Sequence, residues 1–177
     1  CRTAEEPILP PPDPAAIQRL IHLVGRDRAQ AVADRHPASL PEIAGAIDQP
    51  GGRQIVCECE QVTAGELIGT ARQLGSPSLG DLRRRTRLGM GTCQGGFCGY
   101  RAALLLVREG IIEAEQVPSM LAGFQAERWR GVRGGLGGME LRAAELNYAL
   151  ARAQLAMEPL PAGKTVEMIE LGGAGND

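Results

Sequence analysis

Four cysteines in two close pairs, Cys57-x-Cys59 and Cys93-x4-Cys98, lie 33 residues apart and restrict this chain more than any other feature. Thiolates in that number either close one tetrahedral metal site or hold two iron ions bridged by sulfides. A disulfide framework goes with short, loop-rich secreted chains, whereas close pairs in a chain of this composition point to metal. Structural zinc usually takes C-x2–4-C knuckles in both halves, and the C-x-C pair departs from that habit. The surroundings of the second pair suit iron and sulfide. A cluster on four thiolates carries a charge of about −2 by formal counting of its ligands. Once buried, that charge needs backbone N–H groups aimed at sulfur, and glycine lets the backbone come close. Gly89, Gly91, Gly95, Gly96 and Gly99 flank the pair. Cys98 lies at the start of a predicted helix, whose positive end favours a thiolate. Arg83, Arg84, Arg85, Arg87 and Arg101 add cationic charge nearby in sequence. A zinc-stabilised structural or binding module is the alternative.

The fold class is mainly α. Aromatics make up 3% of the chain, so the core is built from aliphatic residues. Asp13 followed by Pro14 starts a helix to about Val24, with Ile17, Leu20, Ile21 and Val24 on one face. Residues 27–36 suit a second short helix. A third starts near Ser39–Leu40–Pro41, and Pro50–Gly51–Gly52 marks a boundary. Residues 54–61 alternate, as a short strand or an extended loop. Thr63 and Glu66 form a capping-box pattern for a helix to Leu74. Ser78 starts the next. Residues 89–96 hold too much glycine for regular structure. Helices follow over about Phe97–Glu109, Val117–Arg130 and Met139–Met157, with Leu141, Ala144, Leu146 and Leu150 near one face of the last. These elements divide the chain into a linker and helical N-terminal extension (1–52), a small helical cysteine-loop domain (53–112), a C-terminal helical region (113–157) and a flexible tail (158–177) with a short strand at 165–171.

The formal net charge of −2 speaks against a general nucleic-acid partner. The longest apolar run, Ala102–Val107, is far short of the ~20 residues of a membrane span. The chain starts at Cys1 without a methionine and reads as a piece of a longer or processed protein.

The segments CECEQVTAGEL and DLRRRTRLGMGTCQGGFCGYR, with the spacing C-x-C-x33-C-x4-C, resemble the [2Fe–2S] domain of the bacterioferritin-associated ferredoxin type over residues 55–108. The resemblance implies a small helical fold in which Cys57, Cys59, Cys93 and Cys98 bind the cluster from two loops. CRTAEEPI near the start, and ERWRG and LRAAEL near the end, are similar to the C-terminal part of the A chain of anaerobic glycerol-3-phosphate dehydrogenases. In that family an FAD domain oxidises glycerol 3-phosphate and sends electrons toward quinone through partner subunits. The resemblance thus implies an electron-transfer role with the FAD in a preceding domain, because no G-x-G-x-x-G follows a strand near the start of this chain. It also implies no catalytic residue here, and partners comprising a downstream electron acceptor and a flavin domain or subunit. The location it implies is cytoplasmic, peripheral at the inner membrane through partners. Flavin dehydrogenases for proline, opines or glycine (cyanide-forming) carry similar domains and stay open as alternatives.

Cys1 precedes a proline linker and is not expected to be a ligand. His22 and His36 read as structural or solvent-exposed. The arginine run 83–87 reads as a solvated helix face, or as cluster tuning or partner docking, and consecutive helical residues cannot all face one site. GGLGG at 134–138 is a flexible turn. Trp129 is expected to anchor the packing of the last two helices.

Overall fold

Helix α1 (Pro14–Val24) begins where the Asp13 side chain accepts from the N–H of Ala15 at 3.0 Å, with proline at the first helical position. It ends at Gly25, whose φ of 85° suits glycine. The computed structural model describes residues 11–75 and 77–154, apart from the side chains of Ala151 and Gln154. Cys1, most of the proline linker, the tail at 158–177 and the strand expected within it lie outside the described residues.

Helices α2 (Arg26–Arg35) and α3 (Leu40–Asp48) pack with α1 around Leu20, Ala29, Val32, Ala33, Leu40, Ile43 and Ile47, all fully buried. Helices this short are marginal alone, so burial of these faces holds them. The chain then enters β1 (Ile55–Cys57), which pairs antiparallel with β2 (Val62–Thr63). The alternating segment 54–61 is therefore a short strand running into a turn. Next come α4 (Ala64–Leu74), α5 (Leu79–Thr86), α6 (Cys98–Arg108), a 3₁₀ turn (Ala114–Gln116), α7 (Val117–Arg133) and α8 (Gly138–Gln154). A second core gathers Val62, Leu67, Leu79, Leu82, Leu88, Leu106 and Phe124. The fold is mainly α, as the sequence predicts.

The two cores meet where α3 crosses α4. The contact requires glycine at position 65, because a Cβ there would come within 2.5 Å of the Ala46 carbonyl oxygen and the Ile47 Cα. One residue on, the capping box is only half made. Thr63 Oγ1 accepts from the N–H of Glu66 at 3.3 Å, but the fully buried Glu66 carboxylate turns to the N-terminal helices. It accepts from Arg35 Nε (2.7 Å) and Nη2 (2.8 Å) and meets His36 Nε2 at 3.0 Å. An arginine fork and a buried imidazole outcompete one backbone N–H for that carboxylate. His36 is thus structural, while His22 is exposed.

At the C-terminal end, α7 runs three residues beyond the expected Arg130. One helical glycine, Gly131, costs only ~1 kcal/mol, and the helix stops at the Gly134–Gly135 pair. Helix α8 leans on α7 through the stacked rings of Trp129 and Tyr148, 5.2 Å apart and 10° from parallel. Its expected apolar face is only partly covered, since Leu146 and Leu150 remain exposed.

Candidate metal centre

β1 ends on Cys57, and the turn to β2 carries Cys59 outward, so one cysteine of the first pair is buried and the other exposed. The second pair straddles the glycine loop. Cys93 is half-buried within it, and Cys98 is the buried first residue of α6. All four side chains, with Val56, Glu58, Phe97 and Arg101, line one cavity of about 340 Å³. Cys93 interacts with Cys59 across the loops, and Cys98 with both Cys57 and Cys93, so the four thiols form one electrostatically linked group. Among the described residues, no three cysteine, histidine or acidic side chains close on a single ion position.

The glycine loop is shaped by what it must pass. Gly91 lies directly under Cys59, and a Cβ there would fall 2.1 Å from the Cys59 Cβ and 2.9 Å from its sulfur. Gly95, at φ 87°, lies under the ring of Phe124 from α7. Thr92 Oγ1 stands 3.9 Å from the Cys59 sulfur.

The two ends of the second pair differ electrostatically. Burial opposes ionisation of Cys93, but backbone N–H groups of Gly95, Phe97 and Gly96 and the Cys59 thiol outweigh it, so its pKa lies below the ordinary thiol value. Burial, and then the neighbouring Cys57 and Cys93, push Cys98 up to about 12, although it opens a helix. Four thiols brought this close need a cation before all of them can ionise.

The arginines divide their work. Arg83 donates to the Gly89 carbonyl at 2.6 Å and ties α5 to the glycine loop. Arg87 pairs with Glu60 (2.7 Å) and Arg101 with Glu58 (3.0 Å), both acids neighbouring Cys59 in the first loop. Arg84 turns to Asp81 and Glu127, and Arg85 is exposed. Arg35 Nη1 also reaches the Glu60 carbonyl at 3.4 Å, so the buried Glu66 pair braces the first cysteine loop.

The family model of the BFD-like [2Fe–2S] binding domain matches residues 55–108, from β1 to the last residue of α6, and takes in both cysteine pairs. This stretch is a BFD-like [2Fe–2S] binding domain. The chain around the BFD-like domain is similar to the A chain of the anaerobic glycerol-3-phosphate dehydrogenase of Escherichia coli K12, with 43% identity over 150 residues, which is 82% of this chain and 27% of that protein. The A1 chain of the anaerobic glycerol-3-phosphate dehydrogenase of Haloferax volcanii is 31% identical over 175 residues, 95% of this chain and 28% of that protein. The hydrogen cyanide synthase component HcnB of Pseudomonas protegens is 36% identical over 74 residues, 41% of this chain and 15% of that one. The chain therefore spans a little over a quarter of the length of the dehydrogenase chains it matches. No solved structure matches it.

Sequence reasoning missed the brace of Arg35, His36 and Glu66, because its members lie about 30 residues apart and each looks like an ordinary surface or capping residue. It also assigned no role to Arg128, which lies within the ERWRG segment. The only signal for Arg128 was its place four residues after Phe124, on the same face of α7.

Proposed function

We propose that this chain carries electrons through a [2Fe–2S] cluster held by Cys57, Cys59, Cys93 and Cys98, as part of an FAD-dependent glycerol-3-phosphate dehydrogenase. The observation that carries the proposal is the convergence of four cysteines from two loops on one cavity. Four cysteines supply two protein sulfurs to each of two irons, and the C-x-C spacing of the first pair departs from the usual zinc knuckle. The cavity size and the N–H groups aimed at Cys93 suit a metal core held by thiolates. When bound, the cluster supplies a one-electron centre. The chain's own residues hold it, exclude water with Val56 and the α6 face, and leave the Cys59 and Phe97 edge open to a redox partner.

The similarity over most of the chain to these dehydrogenase components supports glycerol 3-phosphate as the electron source, through a flavin domain or subunit, with a further protein passing electrons toward quinone. On this proposal the work is done on the cytoplasmic side, peripheral to the membrane through partners. Among the described residues no helix is long and apolar enough to cross a membrane. The cyanide synthase relative matches less than half of the chain and gives the second choice.

Two experiments test the proposal. Replacing Cys93 or Cys98 by serine should remove or alter the iron–sulfur visible spectrum, whereas Cys1→Ser should leave it intact. An unaltered spectrum in Cys93→Ser sinks the ligand set. In the assembled dehydrogenase, glycerol 3-phosphate added without air should reduce the cluster, read by EPR. Reduction by proline or glycine instead would move the assignment to the related dehydrogenases.

A further inference from the structure

Helix α7 is seated on the glycine loop by Phe124, whose ring lies so close to Gly95 that a Cβ there would be 2.5 Å from its Cε1. Four residues on, about 6 Å along the same face, Arg128 shares a cavity of about 320 Å³ with Cys93 and Gly96. Arg128 is half-buried. Its Nη1 donates to Gln125 Oε1 at 3.0 Å, and its Nε is buried with no hydrogen-bond partner. Arg84, Arg87 and Arg101 each spend their charge on a carboxylate and keep more than half of the side chain exposed. Among the described residues Arg128 has no carboxylate partner. Burial and the nearby Arg83 oppose its charge.

We propose that Arg128 is a tuning residue of the cysteine site: its guanidinium, on the helix that Phe124 seats on the glycine loop and in a cavity that Cys93 also lines, stabilises negative charge on the sulfurs and raises the reduction potential of the cluster. This rests on the cluster assignment above. Reduction adds one electron, so a nearby fixed cation favours the reduced state more than the oxidised one. A partly buried charge acts through a lower effective dielectric and is screened less by salt than a surface charge. The three exposed arginines, already paired, contribute far less.

The test is a redox titration of the cluster-loaded chain, followed by visible absorption and EPR. Arg128→Gln should shift the reduction equilibrium at least tenfold toward the oxidised form, a fall of about 59 mV for a one-electron couple. Arg133→Gln removes the same formal charge from an exposed position of the same helix and should move the potential far less. Arg128→Lys keeps the charge and should stay near the parent. An Arg128→Gln protein with an intact cluster and the parent potential overturns the proposal and leaves the cluster assignment standing. Cluster loss in Arg128→Gln that Arg128→Lys restores supports the charge role, and loss in both overturns it in favour of packing. A parent chain that takes up no iron and sulfide defeats the cluster assignment itself, a separate result.

Discussion

Arg35→Met removes the fork that holds Glu66. The Glu66 side chain is 0% exposed and Arg35 only 9%, so both charges sit in a poorly solvated junction between the two cores. After the substitution the carboxylate keeps only His36 at 3.0 Å. Removing one partner of a buried ion pair typically costs about 3–5 kcal/mol, because the remaining charge is left uncompensated. For a chain of this size each kcal/mol is worth about 2–4 °C, so Tm should fall by about 6–20 °C. Denaturant unfolding followed by far-UV circular dichroism reads the same loss as a lower midpoint. Glu66→Leu combined with Arg35→Met should recover part of it, since apolar replacement of a whole buried pair is often close to neutral. Recovery stays partial because His36 Nε2 loses its partner. The double-mutant cycle should therefore show a coupling of at least about 1 kcal/mol. The bond from Arg35 to the Glu60 carbonyl adds a second expectation, weaker cluster retention in Arg35→Met. A loss below about 1 kcal/mol, or additivity in the cycle, would refute the reasoning.

Gly91→Ala places a methyl group 2.1 Å from the Cys59 Cβ, so either the glycine loop or the first cysteine loop must move. The expected result is a large fall in iron and sulfide bound per chain with little change in helix content, checked by metal assay and circular dichroism. Asp81→Asn weakens the capping box of α5, in which Ser78 and Asp81 bond reciprocally. Because Asp81 is hydrogen-bonded by the Ser78 hydroxyl and N–H and by Arg84, its pKa falls from 3.8 to about 2. A depressed folded-state pKa means the stabilisation is fully present above the unfolded value and is lost as pH falls through about 2. The parent should therefore exceed Asp81→Asn in stability by about 1 kcal/mol at neutral pH, and the gap should shrink as pH falls from 3.8 and close below about 2. A gap in thermal melts at pH 2 as large as at neutral pH would contradict this.

Local signals in the sequence carried much of this fold. The caps at Asp13, Thr63 and Ser78 are short-range hydrogen bonds between residues two or three apart, and the structure forms all three. The glycines at 25 and 75 end helices at positive φ, which few other residues tolerate. The cysteine spacing pointed to a metal site before any geometry was known. Long-range choices were hidden. Glu66 had two possible partners, and the one 31 residues away won because burial rewards a bidentate arginine over a single N–H. Which arginines face the cysteines depends on how α5, α6 and α7 pack. The run at 83–87 is the conspicuous one in the sequence, while Arg128, remote in sequence, lines a cavity with Cys93.

The central claim is the cluster, and the most direct test is to assay iron, acid-labile sulfide and zinc on one anaerobically prepared sample while recording visible absorption and EPR. The account predicts about two irons and two sulfides per chain, with an EPR signal that appears only on reduction. One zinc per chain with no visible colour, unchanged after reconstitution with iron and sulfide, would contradict it.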